Sequence, residues 1–216
     1  MKFAKLENEK LPIGKIVCLG RNYSEHIKEM GHEKNPDPVI FLKTTSSIIY
    51  SGESVIKPES TSNLHYEVEL VLLIGNTIRN ADDEQADLAI LGYSVGLDMT
   101  CRDLQSEAIK KDEPWTLSKC FDTSAVISDI LPKFKYKMNG KEKIQLSLNN
   151  KIKQSSTLDK MILNPIEVVK FISSKMTLEP GDLIFTGTPE GVGQANIGDE
   201  IFASIENIGE LETNII

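Results

Sequence analysis

The run His65-Tyr66-Glu67-Val68-Glu69-Leu70-Val71-Leu72-Leu73-Ile74 sets two carboxylates two residues apart in a segment that otherwise reads as a buried strand. Alternate residues of a strand share a face. Tyr66, Val68, Leu70, Leu72 and Ile74 line one face, and His65, Glu67, Glu69, Val71 and Leu73 the other. Both faces turn apolar towards the end, which marks an inner strand. Two carboxylates on one face there repel each other and resist desolvation, so they need a cation, most simply a divalent metal. A solvent-facing pair is the commoner arrangement for an isolated E-x-E, but a second acid shifts the balance. In Leu91-Gly92-Tyr93-Ser94-Val95-Gly96-Leu97-Asp98, the residues Gly92, Ser94, Gly96 and Asp98 share a small-residue face with one charge at its tip. Asp98 also fits as a cap for a helix in Thr100–Lys111, TCRDLQSEAIKK. If the two segments meet, Glu67, Glu69 and Asp98 make an all-oxygen set, which suits Mg²⁺ or Mn²⁺ over zinc, with Ca²⁺ as an in-vitro substitute.

Other residues offer acid–base and anion chemistry. His26 and Glu29 are three apart in a helical stretch and can share a face. A carboxylate beside an imidazole fixes its tautomer and raises its basicity, as activating water requires; a solvated polar helix surface is the alternative. Lys119 follows the only Trp, Trp115, and is either a surface residue or a cation for a carboxylate or developing oxyanion. Arg21, Lys43 and Arg102 pose the same choice. His65 fits as a support for a metal ligand, and His32 has no distinctive spacing. The glycine-rich Thr186-Gly187-Thr188-Pro189-Glu190-Gly191-Val192-Gly193 lacks the Gly-Lys-Ser/Thr and the following helix that a phosphate loop needs. Its use is to offer hydroxyls and backbone N–H groups to a carboxylate.

Strand signals dominate the elements that must position these residues. Lys15–Gly20, Pro38–Lys43, His65–Gly75, Ala89–Thr100, Lys143–Asn150, Asp182–Thr188 and Asp199–Gly209 are β-branched runs bounded by Gly, Pro or Asn. Helical patterns cover Arg21–Met30, Ala81–Ile90 and, most clearly, Asn164–Met176, where Pro165 stands at the entry. Asn139-Gly140 predicts a hairpin turn. Without βαβ alternation or a Pro/Gly/Ser-rich linker, the chain reads as one strand-dominated α+β domain over residues 1–216. A net charge of −8 argues against nucleic acid, whose phosphates require a basic surface. No apolar run reaches the ~18 residues of a membrane span. Three scattered cysteines, with no secretory pattern at the start, give a cytoplasmic expectation with reduced thiols.

Six blocks carry a resemblance: GRNYSEHIKEMG, PVIFLKTTSSI, HYEVELVLLIG, GYSVGLDMTCRDLQ, PWTLSKCFDT and PGDLIFTGTPEGVG. In this order they closely resemble the fumarylacetoacetate hydrolase family, in particular its small single-domain acylpyruvate hydrolase branch and related isomerases and decarboxylases. The resemblance implies a mixed β-sandwich roll, a homodimer, and Mg²⁺ or Mn²⁺ held by Glu67, Glu69 and Asp98. It implies His26 and Glu29 as the dyad of a lid, Lys119 at the oxyanion, and Arg102, Gln105 and Thr188 as contacts of a small 2-oxo acid. Arg21 and Lys43 join the substrate contacts as local cations. The acidic pair Asp112-Glu113 before Pro114-Trp115 and the lid segment Glu33–Pro38 depart from the family pattern. A phosphohydrolase would use similar acids with a basic surface, and a metal-stabilised binding protein would have no reason to keep His26, Glu29 and Lys119 together.

Overall fold

The computed structural model describes residues 1–7, 9–29 and 37–216. His32 and most of the lid segment Glu33–Pro38 fall outside the described residues. Seven strands lie side by side in the order Val39–Lys43 (β4), Ile16–Gly20 (β3), Leu183–Phe185 (β14), Val68–Ile74 (β7), Ile90–Asp98 (β8), Ala125–Ile127 (β10) and Ile48–Tyr50 (β5). Leu131–Pro132 (β11) pairs with β8 beyond β10. Pairing is antiparallel except between β3 and β14 and between β10 and β5, so the sheet is mixed. A second sheet runs Lys151–Thr157 (β13), Lys143–Leu148 (β12), Glu200–Ile205 (β16), Gly209–Asn214 (β17), antiparallel throughout. Short pairings join Gly193–Gln194 (β15) to Leu64–Tyr66 (β6) and β6 to Thr100–Cys101 (β9). Phe3–Leu6 (β1) and Glu9–Pro12 (β2) form a separate antiparallel pair. This is the strand-dominated α+β architecture that the sequence predicts.

The alternation in β7 decides how the layers stack. All seven of its residues are buried. Val68, Leu70, Leu72 and Ile74 join Tyr66 in the large core, while Val71 and Leu73 join a smaller core on the other side with Ile16, Ile48 and Phe185. Each such side chain contributes about 1.5–3 kcal/mol relative to exposure, which holds β7 in one register. Glu67 and Glu69 are thereby fixed on the smaller-core face. Asp98 reaches the same face from β8, where Gly96 leaves room for Val71 and for Phe185, whose ring a Cβ would approach to 2.7 Å.

Asp83–Ala89 (α2) and Pro165–Lys175 (α5) begin with reciprocal capping boxes, Asp82 with Gln85 and Asn164 with Glu167. They pack Ala86, Val168, Val169 and Ile172 into the large core. Ser24–Glu29 (α1) and the single turn Thr116–Lys119 (α4) are short. In Arg102–Lys110 (α3) the buried residues are Arg102, Gln105 and Ala108, at three-residue spacing on one face. The cap position of α3 is Cys101 and Asp98 closes β8, so Asp98 does not cap this helix.

The hairpin expected at Asn139-Gly140 is not there. Gly140 has φ +84° and the Asn139 side chain accepts from Lys141 N, but the stretch before it is not a strand. The hairpin turn lies ten residues on, between β12 and β13, where Asn149 (φ 51°) and Asn150 (φ 61°) both take the left-handed conformation that a two-residue turn demands.

Candidate metal centre and cleft

The bend between β6 and β7 and the end of β8 bring Glu67, Glu69 and Asp98 together. One carboxylate oxygen of each lies within 4.8 Å of the others, and all three residues are buried. Among the described residues no other group of three potential ligands comes together in this way. The backbone N–H of Asp98 donates to the carbonyl of Glu67 at 2.9 Å, which fixes the two segments in register.

Cations already surround two of the acids. Lys119 Nζ lies 2.7 Å from Glu67 Oε2 and 2.6 Å from Asp98 Oδ2, and it also donates to Thr100 Oγ1 at 2.6 Å. Arg102 pairs with Glu67 Oε1 and with Gln105 Oε1. Burial alone would raise the Glu67 carboxyl, but Lys119 and Arg102 outweigh it and hold the group well below the usual range. Burial would likewise lower the Lys119 ammonium, and Asp98 and Glu67 push it up instead. Glu69 differs. Among the described residues its side chain accepts only from Gly187 N, at 2.7 Å, and burial, then Asp98 and Glu67, push its carboxyl well above the usual range.

This imbalance fits a missing positive charge. Asp98 Oδ1 is buried and receives no hydrogen bond from the described residues, although Lys43 Nζ stands 2.8 Å away as its ion-pair partner. The Lys43 ammonium is directed instead to the carbonyls of Met99, Lys119 and Ser124 and to Ser124 Oγ. Three converging carboxylates, one of them with no cation beside it among the described residues, make a hard, all-oxygen donor set.

A cleft opens over these acids, lined by Arg21, His26, Arg102, Gln105, Lys119, Thr188 and the triad itself, with Phe41 and Trp115 on its apolar side. His26 Nδ1 lies 3.1 Å from Glu29 Oε2. Glu29 in turn accepts from Gly191 N at 3.1 and 3.2 Å, so the glycine-rich loop steadies it. That loop runs into β15, not into a helix. Arg21 takes φ +69°, an uncommon conformation for a side-chain-bearing residue. Lys43 does not line the cleft, and its buried ammonium serves Asp98 and the Lys119 segment rather than solvent or a ligand. His65 accepts from Arg102 Nε at 3.4 Å and sits beside Asn63 at 3.0 Å. Burial, and then Arg102, lower its imidazole to about 4, so it is neutral at neutral pH.

Two residues of this arrangement have no place in the sequence reading. Thr100 contacts Lys119, and its spacing of two from Asp98 on a continuing strand pattern is a signal that could have found it. Gln154 bonds to both Val68 and Thr188, and nothing in its polar surroundings marks it.

Residues 15–216 match the family described as "Fumarylacetoacetate (FAA) hydrolase C-terminal". The mitochondrial oxaloacetate tautomerase of Arabidopsis thaliana is 42% identical over 201 residues, which cover 93% of this chain and 90% of that protein. The mitochondrial oxaloacetate decarboxylase of Dictyostelium discoideum is 44% identical over 195 residues, covering 90% and 89%. The fumarylpyruvate hydrolase of Pseudomonas aeruginosa, solved with Mn²⁺ and pyruvate, superposes with a TM-score of 0.96 at 35% identity, covering 100% of this chain and 95% of that one.

Proposed function

The chain belongs to the fumarylacetoacetate hydrolase family, and on that premise we propose that it is a divalent-metal-dependent hydrolase that cleaves a C–C bond in acylpyruvate-type 2,4-dioxo acids. The observation that carries this reading is the meeting, in one cleft, of the Glu67–Glu69–Asp98 triad with Lys119 and with His26, to which Glu29 is bonded.

Glu67, Glu69 and Asp98 would hold Mg²⁺ or Mn²⁺, which when bound supplies Lewis-acid polarisation of a 2-oxo carboxylate. The remaining work falls to side chains. Glu29 accepts from His26 Nδ1, so Nε2 is the nitrogen left to take a proton from water. That water adds to the distal carbonyl of the acyl group. The C–C bond then breaks, its electron pair leaves with the pyruvate half, and that half takes up the proton held by His26 to give pyruvate. Lys119, held charged by Glu67 and Asp98, offers positive charge to the oxygen on which negative charge grows. Arg102, Gln105 and Thr188 orient the substrate's other oxygens, and Arg21 lines the same cleft.

A second reading has a specific support: the oxaloacetate tautomerase and decarboxylase named above are both more than 40% identical to the chain. Tautomerisation or decarboxylation needs the same electron sink but no water. One assay separates the readings: acetylpyruvate, fumarylpyruvate, oxaloacetate and 2-hydroxyhepta-2,4-diene-1,7-dioate, each with Mg²⁺ and with Mn²⁺. Turnover of oxaloacetate alone would sink the hydrolase reading. A homodimer and a cytoplasmic location complete the proposal, and a solution mass equal to the 24.0 kDa of one chain would remove the dimer.

A further inference from the structure

Lys151-Ile152-Lys153-Gln154-Ser155-Ser156-Thr157 has the composition of a solvent-facing edge strand, and every residue of β13 except Gln154 is at least partly exposed. Gln154 is fully buried. A β-bulge is the cause. From the Asn149-Asn150 turn, Leu148 pairs with Lys151 and Ser147 with Ile152; the register then slips, Leu146 faces Gln154, and Lys153 is left without a partner. An extra residue on one strand re-aims the side chain that follows it. In an unbroken ladder Lys153 would face the buried Leu146, and Gln154 would stand opposite Gln145 on the outer face.

The inward-turned amide joins two segments of the cleft. Its Oε1 accepts from the backbone N–H of Val68 at 3.0 Å, between Glu67 and Glu69. Its Nε2 donates to Thr188 Oγ1 and to the carbonyl of Pro189, both at 2.8 Å. These partners leave no choice of amide orientation, because a backbone N–H only donates and a carbonyl only accepts. Thr188 Oγ1 must therefore accept from Gln154, and its own hydrogen is free to be given elsewhere. Thr188 lines the cleft, and among the described residues no acceptor takes that hydrogen. The bulge holds the far end of the same loop as well. Gly191, at φ +93°, packs so closely on the Lys153 carbonyl that any side chain there would collide, and its N–H donates to Glu29.

We propose that Gln154, which does not itself line the cleft, is a positioning residue that makes the Thr188 hydroxyl a dedicated donor to an anionic substrate oxygen. The same amide keeps the 187–191 loop in register with the Glu67–Glu69 segment. This inference rests on the 2-oxo-acid reading and adds to it the device that sets the polarity of one substrate contact.

Calorimetric titration of the Mn²⁺-loaded protein with oxalate reads anion binding without turnover. Gln154→Glu keeps the side chain's size and its bond from Val68 but cannot donate, so the Thr188 hydroxyl turns from the cleft to the new carboxylate. Oxalate affinity is expected to fall by about tenfold or more, the scale of one hydrogen bond to a charged group. Thr188→Val is expected to lose the same hydrogen bond, and the double variant to lose less than the two single losses added, since the bond through the hydroxyl is lost once although Gln154→Glu also gives up its bond to the Pro189 carbonyl. Mn²⁺ affinity without oxalate is expected to stay near the wild-type value in all three. Unchanged oxalate affinity in Gln154→Glu, or losses that add in the double variant, overturns the proposal.

A wild-type measurement stands beside these variants should Gln154→Glu not fold. In the Mg²⁺-loaded protein the side-chain amide protons of Gln154 are expected to exchange slowly with solvent and to shift in NMR spectra when oxalate is added. Rapid exchange overturns the positioning role. A wild-type protein that binds Mn²⁺ but not oxalate overturns the substrate reading and the Thr188 contact with it, whereas the amide protection still decides whether Gln154 holds the loop.

Discussion

At the residue scale, the proposed dyad and the triad carry separable consequences. Hydrolysis needs an activated water, whereas decarboxylation of oxaloacetate needs only an electron sink. His26→Ala is therefore expected to cut kcat for acylpyruvate hydrolysis by roughly 10²–10⁴, the usual range for a lost general base, and decarboxylation by much less. Asp98→Ala should damage both together. Equal losses in His26→Ala would mean that the dyad orients substrate and does not activate water. Glu69 gives a pH prediction. Its folded-state pKa is raised, by burial first and then by Asp98 and Glu67. The stability contributed by its protonated form is full below the ordinary carboxylate pKa and is lost as pH rises through the raised value. Metal-free wild type should thus lose stability above about pH 5, while Glu69→Gln, neutral throughout, should not share that loss. Matching pH profiles of the unfolding midpoint in the two proteins would count against it.

The paired acids of the triad were legible in the sequence because their chemistry conflicts with their surroundings: Glu67 and Glu69 interrupt an apolar run, and burying them without compensation is too costly to be incidental. Lys43 was not legible. Its type signals charge, but only the fold shows that three backbone carbonyls and a serine hydroxyl take up its ammonium.

At the scale of elements, periodicity located the long strands and α5 because burial on one face or both leaves a pattern. β13 and β17 escaped it. Lys151–Thr157 is an edge strand with one buried residue, and Gly209–Asn214 buries only Leu211 and Thr213, so neither shows an apolar run. The Asn139-Gly140 pair misled because turn chemistry is local, whereas a hairpin also needs two flanking strands. The start of α3 offers a test at this scale. Asp103 receives hydrogen bonds from Ser62 N at 2.8 Å, from Leu104 N at 3.0 Å and from the Thr61 hydroxyl. Burial would raise its carboxyl, but these bonds outweigh it and lower it to about 2. A depressed pKa contributes stability above the unfolded value, and that stability is lost as pH falls through the folded one. Asp103→Asn is expected to lower the unfolding midpoint at neutral pH, with the difference closing between about pH 4 and pH 2. A gap that stays constant over that range would show that the anion is not what ties α3 to residues 61–62.

For the whole molecule, net charge of −8 and a cleft lined by Arg21, Arg102 and Lys119 fit the capture of a small anion by local charge. If the triad holds a divalent ion, the metal is part of the stability of the fold. Binding at a hundredfold excess over Kd adds about 2.7 kcal/mol. In a chain of this size that corresponds to a rise of roughly 5–10 °C in Tm. Thermal unfolding in EDTA and after adding Mg²⁺ measures this, with loss and return of activity expected in parallel. Full activity in metal-stripped protein would sink the mechanism.

The place of β14 in the large sheet has a bearing on how the chain is made. β3 pairs on one side with β4, but its other edge meets only β14, which stands between β3 and β7. Ile16 must wait for Leu183, its partner 167 residues later. At ribosomal speeds of about 5–20 residues per second, that edge stays open for roughly ten to thirty seconds. An unpaired apolar strand edge is a site for wrong pairings during that time. The antiparallel β7–β8 pair, with Glu67 just before it, brings all three acids into the chain by contrast once residue 98 has emerged, long before Gly187 and Thr188 exist. An ion held early would fix the β7–β8 edge onto which β14 must later insert, and the availability of metal during synthesis would then govern the yield of folded protein as well as its activity.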